Sequence, residues 1–334
     1  MRSYDVRVRG PRFLLAVATA LLVAACASTP HAFQEKTVVV TGASSGIGRG
    51  VALRFAAQGA NVVLAARRKE LLEHVAQEAG GRTLVVETDV SQPAEVERLA
   101  SAAVQRFGRI DIWINDAGVG AIGRFEDIPL ADQLRVVDVN LKGVIEGSYV
   151  AMRQFRRQGS GTLINIGSVD GRVPFPYYAT YVATKHAVVG LGAALNEELR
   201  VNKVKGIHVV TVNPFATDTP FFEHVGNYTG HSARMIMMDA PDKVVDAVFN
   251  AAVHPRQEIA VGWKGKAAQG SEHVSRFVTE RLTGNVTQRV QIQDAPPAPH
   301  TAGNLFEPMD RGTDVDGGVR QRVAVEDQRK PKQR

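Results

Sequence analysis

Tyr181 and Lys185 stand four positions apart, so a helix through them puts a phenol and an ammonium on one face, about one turn apart. An ammonium near a phenol favours the phenolate, lowering a pKa of about 10 toward the working range. Such a phenol can give a proton to a carbonyl oxygen or take one from an alcohol. Ser168, upstream, is a hydroxyl donor suited to hold that same oxygen as charge develops. In isolation the pair has a bland reading, with Tyr177, Tyr178 and Tyr181 packing one helix face and a solvated lysine. His186 falls off that face, and Trp113 and Trp263 read as packing residues.

A second cluster points to a nucleotide. Thr41-Gly42-Ala43-Ser44-Ser45-Gly46-Ile47-Gly48 follows a β-branched run and precedes a helical pattern. Glycines there let the backbone turn sharply and approach a pyrophosphate, while the helix amino terminus offers unpaired N–H groups. The next strand ends Leu64-Ala65-Ala66-Arg67-Arg68, with no carboxylate to take a ribose 2′-hydroxyl. Arg67, with Arg68 beside it, suits a 2′-phosphate through a bidentate fork, so NADP(H) is expected over NAD(H).

The elements needed to carry these groups alternate along the chain. Apolar strand runs are expected at 37–40, 61–65, 83–87, 110–115, 161–166, 207–213 and 258–262. Helical patterns lie between them at 49–58, 69–79, 93–107, 129–157, 177–201 and 241–253, the third entered from Ser91 as a cap and the first closed by Gly59. The strands are apolar throughout, as in strands covered on both faces. The expected fold is therefore α/β, a Rossmann-type doubly wound, mostly parallel sheet of about seven strands with helices on both faces. One domain over residues 35–285 is expected, with no internal repeat. From residue 286 the pattern dissolves into Pro, Gly, Gln and charge (Asp294-Ala-Pro-Pro-Ala-Pro), which reads as a disordered tail over 286–334.

Composition narrows the class. The chain has 334 residues, 44% of them hydrophobic, too apolar for a wholly disordered protein. One cysteine rules out a disulfide-stapled mini-domain. The net charge of +6 owes part of its excess to the two ends, so no nucleic-acid partner is expected. At the amino end Arg2, Arg7, Arg9 and Arg12 precede an apolar run over 13–25, and Val23-Ala24-Ala25-Cys26 closes it. Residues 1–30 thus read as an export signal, Cys26 resembling the lipidated cysteine of a bacterial lipobox. The run is short for a spanning helix, which needs roughly 20 apolar residues. A lipid anchor, an uncleaved anchor and a cytoplasmic enzyme with a misassigned start all remain open.

Taken in order, the motifs resemble the short-chain dehydrogenase/reductase family over about residues 35–265. The glycine turn has the family spacing Gly-x-x-x-Gly-x-Gly. Asp89-Val90 closes the third strand where the family's aspartate meets the adenine. Asn115-Asp116-Ala117-Gly118 resembles the family's Asn-Asn-Ala-Gly, with Asp116 in place of the second Asn. Asn140, Ser168, Tyr181 and Lys185 match the catalytic set, Asn140 holding a water that links Lys185 to solvent. Val212-Asn213-Pro214 is followed by Phe215 where the family has Gly, and Thr219 matches the threonine near the nicotinamide carboxamide. The resemblance implies a cofactor site of Gly42, Ser44, Ser45, Gly46, Ile47, Gly48, Arg67, Asp89, Val90, Asn115, Ala117, Gly118, Tyr181, Lys185, Pro214 and Thr219. It also implies a substrate lid near 217–240 facing a wall at Pro174-Phe175-Pro176-Tyr177-Tyr178, and a homo-oligomer, dimer or tetramer. Both walls are apolar and aromatic, so a hydrophobic carbonyl or alcohol is the expected substrate, with no metal. The alternative is a membrane-tethered nucleotide-binding protein without turnover, which Asp116 and Phe215 leave open.

Overall fold

The computed structural model describes residues 33–328, residues 271–276 as backbone only. The amino-terminal segment with Cys26 lies outside the described residues. Seven parallel strands form one sheet: β1 (Thr37–Thr41), β2 (Asn61–Ala66), β3 (Thr83–Glu87), β4 (Ile112–Asn115), β5 (Gly161–Ile166), β6 (Ile207–Asn213) and β7 (Glu258–Ala260). Their order is β3-β2-β1-β4-β5-β6-β7, reversing direction of growth beside β1, the switch point at which such sheets bind ligands. Alternate β1 side chains enter opposite layers: Val38 and Val40 meet Phe55, Val244 and Val248, whereas Val39 meets Leu99, Trp113 and Phe155. Two buried faces explain why the strands read as continuous apolar runs.

The helices on one face are α1 (Gly46–Ala56), α2 (Lys69–Ala79) and α7 (Pro241–Val253). On the other lie α3 (Pro93–Phe107), α5 (Gly143–Gln158) and α6 (Ala179–Val201), with α4 (Leu130–Val137) leading into α5. Helix α1 begins one turn earlier than its apolar periodicity suggests, because glycines 46 and 48 carry no periodic signal. Gln92, not Ser91, caps α3; the Ser91 hydroxyl instead donates to Asp89 at 2.7 Å. The single helix expected over 129–157 is broken by a wide π-turn at Asp138–Lys142. Asn140 sits in that turn, where its amide bonds both backbone groups of Val119, at 2.9 and 2.8 Å.

The largest departure is carboxy-terminal. Residues 286–328 do not form a disordered tail. Helix α8 (Gly262–Gln288) runs through the expected boundary into a π-turn at Arg289–Gln293, and α9 (Val319–Gln328) closes the described chain. Val290, Leu305, Val319 and Val323 are buried. Arg234, 2% exposed, ties α9 to the 217–240 segment, pairing with Asp327 at 2.7 Å and donating to the Asp294 carbonyl at 3.0 Å. Isolated apolar anchors spaced by Pro and Gly give no periodicity, so composition alone mistakes this segment for solvated chain. Among the described residues no helix is long and apolar enough to cross a membrane.

Candidate active site

The loop between β1 and α1 is tight enough to require its glycines. Gly42 has φ +74°, and a Cβ there would lie 2.9 Å from Ala117 Cα. A Cβ on Gly48 would lie 2.5 Å from the Gly42 carbonyl oxygen. The Thr41 hydroxyl accepts from the Asp116 and Ala117 amides at 3.1 and 3.2 Å, clamping the end of β4 to this loop. Helix α1 starts at Gly46 with no side-chain cap; the Gly46 amide donates to the Asp314 carbonyl at 2.9 Å, and Gly46 and Ile47 line the cleft.

A cleft of about 260 Å³ runs from this loop to the amino end of α6. Lining the half beside the glycine loop are Gly42, Ser44, Ser45, Gly46, Ile47, Arg67, Asp89 and Val90. Ala117, Gly118, Pro214 and Thr219 line the middle, and Ser168, Tyr181 and Lys185 the far end. Three expected residues act from behind the wall. Gly48 packs under the loop, and Asn140 braces Val119. Asn115 points into the core, accepting from Trp113 Nε1 at 2.7 Å and donating to Asn165 at 2.9 Å.

At the far end Ser168 follows β5, and its hydroxyl accepts from the Asp170 amide at 3.1 Å. Ser168 lowers the Tyr181 phenol, against the influences that raise it. Lys185 is buried, donates to the Ile166 carbonyl at 2.8 Å and sits 5.5 Å from the centre of the Tyr181 ring. The electrostatics differ from the simple ammonium–phenol picture. Burial, then the charge of Asp170, push the Tyr181 phenol up rather than down. Burial pushes Lys185 down to about 8, against the pull of Asp116 and Asp170. Burial likewise pushes both of those carboxyls up to about 7. Tyr181 is therefore held as a neutral phenol, a proton donor. Asp170 is a site residue that motif reading missed; its only signal is an acid two positions after Ser168, where the strand has already ended.

At the opposite end the cations are paired mainly with neutral oxygens. Arg67 donates to the carbonyls of Asn304, Phe306 and Leu305 at 2.6, 2.8 and 3.3 Å. Arg68 donates to Met309 O at 2.9 Å and to the Ser44 and Ser45 hydroxyls at 3.0 and 2.7 Å. Burial pushes Asp89 up, but the Ser91 amide and Arg135 outweigh it and hold the carboxyl below its ordinary range. The Arg135–Asp89 pair is 2.6 Å long. The substrate side is apolar and aromatic: Phe221 lies 5.6 Å from Tyr181 between ring centres, with Phe175, Phe222 and Met235 nearby in the wall. Phe215, where a glycine was expected from the resemblance, also lines the cleft, with Lys264 Nζ 5.9 Å from its ring centre.

Known proteins place this geometry in a family. The short chain dehydrogenase family matches residues 36–228. An oxidoreductase of Bacillus subtilis, YxnA, is 32% identical over 84% of this chain and 81% of its own length. A 3beta-hydroxysteroid dehydrogenase of Mediterraneibacter gnavus is 38% identical over 86% of this chain and 93% of its own. Among solved structures, a Burkholderia phymatum short chain dehydrogenase/reductase in complex with NAD superposes with TM-score 0.65 at 27% identity, covering 76% of this chain and 97% of that one. An alcohol dehydrogenase from Thermococcus sibiricus, complexed with 5-hydroxy-NADP, does so with TM-score 0.57 at 28% identity, over 66% and 91%. With the family's fold, its glycine loop and its Ser-Tyr-Lys set all on one cleft, this chain belongs to the short-chain dehydrogenase/reductase family and is an oxidoreductase acting on CH–OH groups.

Proposed function

We propose that the chain is an NADP(H)-dependent oxidoreductase that interconverts a carbonyl and an alcohol on a hydrophobic small molecule. The observation that carries the reading is one cleft with two chemically distinct ends: Ser168, Tyr181 and Lys185 at one, the glycine loop with Arg67 and Arg68 at the other. The glycine cradle fits a dinucleotide, since a side chain at Gly42 or Gly48 would collide with backbone. Ile47 and the other first-turn amides of α1 would hold its pyrophosphate, the Gly46 amide being taken by the Asp314 carbonyl, and Arg67 would hold its 2′-phosphate. Bound there, the nicotinamide supplies or accepts the hydride.

The chain's own residues handle the proton and the position. Tyr181, kept neutral by burial and by Asp170, donates its phenolic proton to the carbonyl oxygen. Ser168 orients that oxygen and stabilises the charge developing on it. Lys185 stands behind the phenol, with the Ile166 carbonyl fixing its direction. Phe175, Phe221 and Phe222 keep the reacting end dry. The relatedness to 3beta-hydroxysteroid dehydrogenases supports a steroid-sized substrate.

The test is cofactor oxidation by the purified chain with 3-ketosteroids and smaller hydrophobic ketones, using NADPH and NADH in parallel. Turnover with NADPH on a member of the panel is expected; a preference for NADH would reject the arginine reading. The reading extends to membrane attachment through residues 1–30 and to assembly as a dimer or tetramer. Mass spectrometry of the natural protein tests the first. An acylated Cys26 or an intact Met1 would support it, and a soluble protein beginning near residue 30 would reject it. Light scattering tests the second, and a monomer would reject it.

A further inference from the structure

The carboxy-terminal segment crosses the adenosine end of the cleft and is latched at both sides. Before the crossing, Asn227 and Thr301 exchange backbone hydrogen bonds at 2.7 and 3.0 Å. Leu305 then enters the core, fully buried, its Cδ1 filling the space beside Gly226. After the crossing, the Gly317 amide donates to the Asp218 carbonyl at 3.1 Å. The Asp218 carboxylate accepts from the Val319 and Arg320 amides at 2.7 and 3.1 Å, capping α9 from the lid. Val319 and Val323 pack on Phe222 and Met238 of that lid.

Between the latches the segment touches the parts of the site a dinucleotide would use. Its carbonyls at 304, 305 and 306 converge on Arg67, and Met309 O fixes Arg68. The Asp314 carbonyl accepts from the Gly46 amide at 2.9 Å, at the first turn of α1. Thr313 O takes Arg49 at 2.6 Å. Asn304, Pro308 and Met309 contribute side chains to the cleft itself.

We propose that residues 304–317 are a strap belonging to the dinucleotide site: it walls the adenosine end, aims Arg67 and Arg68 into it, and must unlatch for the cofactor to exchange. The inference rests on the cofactor reading above. The direct hydrogen bonds to both guanidiniums come from neutral oxygens, with Asp89 and Glu307 acting on Arg67 and Asp310 on Arg68 only through their charge, so both arginines stay cationic toward a phosphate, whose charge-assisted bonds are the stronger ones. The latches also join strap and lid into one unit, because Asp218, Phe222 and Asn227 lie within 217–240. Opening the adenosine end thus loosens the substrate wall as well. Closure of this kind slows release and makes it the step that limits exchange.

The experiment loads the full chain with NADPH, and in parallel with NADH, chases with excess oxidised cofactor and follows nicotinamide fluorescence. Leu305→Ala empties one latch. Gly317→Ala breaks the other, since its Cβ would lie 2.3 Å from the Thr219 carbonyl. Each is expected to speed both association and release by roughly tenfold or more, since both pass through the opened strap. Release rates equal to wild type in both variants, with wild-type circular dichroism, overturn the strap. Absence of binding of either cofactor to the wild-type chain overturns the cofactor reading and the strap with it. Hydrogen exchange on the wild type keeps the test independent of variant folding. Amides of residues 304–317 are expected to exchange roughly tenfold more slowly when cofactor is bound, and unchanged exchange there rejects the proposal.

Discussion

The two ends of the cleft handle charge in opposite ways. At the Tyr181 end a buried ammonium lies among two half-buried carboxyls, and desolvation pushes Lys185 down to about 8 and Asp116 and Asp170 up to about 7. At the Arg67 end guanidiniums that cannot give up their protons are ordered by backbone carbonyls and hydroxyls. The first arrangement makes protonation states movable near neutral pH, as acid–base chemistry requires. The second keeps fixed positive charge in a defined direction, as recognition of a phosphate requires. On the proposed function, one fold thus divides proton transfer and cofactor recognition between the two ends of one cleft.

The sharpest way to break the division is at the proton. Tyr181→Phe removes the phenolic oxygen and nothing that the adenosine end uses. Turnover is expected to fall by roughly 10²–10⁴ while NADPH binding stays within a few-fold. Steady-state rates and a fluorescence titration check both halves, and activity within about tenfold of wild type would reject Tyr181 as the acid. At the other end Arg67→Asp leaves the acid in place and reverses the charge facing the ribose. The ratio of kcat/KM for NADPH over NADH is expected to drop by roughly 10–100-fold, about what one charge-assisted bidentate contact contributes. An unchanged ratio would mean that the 2′ position is read elsewhere.

A third substitution tests the strap's foundation rather than the chemistry. Asp218 is 1% exposed and accepts from two amides at the start of α9 and from Arg320 Nε at 2.7 Å. Asp218→Ala is expected to destabilise by about 2 kcal/mol, a lost cap together with an orphaned pair of amides. For a domain of this size that is a fall in Tm of roughly 4–8 °C. A melting curve coincident with wild type would show that α9 does not depend on it.

Much of this was legible in the residues, for reasons that also explain what was not. The glycine turn, Ser168, Tyr181 and Lys185 announce themselves because backbone clearance and proton transfer each demand a residue type at a fixed spacing. The strands are legible because burial on both faces gives each a β-branched or aliphatic centre, with polar residues mostly toward the ends. Asn115 and Asn140 were read as site residues, yet they act from behind the wall, since a motif records that a residue matters without recording which way its amide turns. Asp170 lacked a signal because its effect on Tyr181 arises from tertiary placement and burial. The strap was misread altogether. Its ties to Arg67 and Gly46 are made by main-chain carbonyls, which every residue carries, so no side-chain pattern reports them.

The smallest expected effect concerns Asp170, and it can be read in two independent ways. Its carboxyl sits at about 7 in the folded chain because of burial, against about 3.9 when unfolded. Between those values the folded state binds more protons than the unfolded one, so stability falls as pH rises through that window. Asp170→Asn has no proton to lose. Its Tm is therefore expected to match wild type near pH 4 and to exceed it near pH 8, where the penalty is complete. The same carboxylate charge is, after burial, the next largest influence pushing Tyr181 up. Removing it lowers the phenol, so the rising limb of the pH profile for alcohol oxidation, which needs ionised Tyr181, is expected to move toward acid. Asp116→Asn shares the stability gain, because its carboxyl is also at about 7, but has the smaller hold on Tyr181 and is expected to move that limb less. A limb that stays in place in Asp170→Asn while the Tm rises at high pH would separate the two roles, leaving Asp170 as a buried cost without influence on the proton.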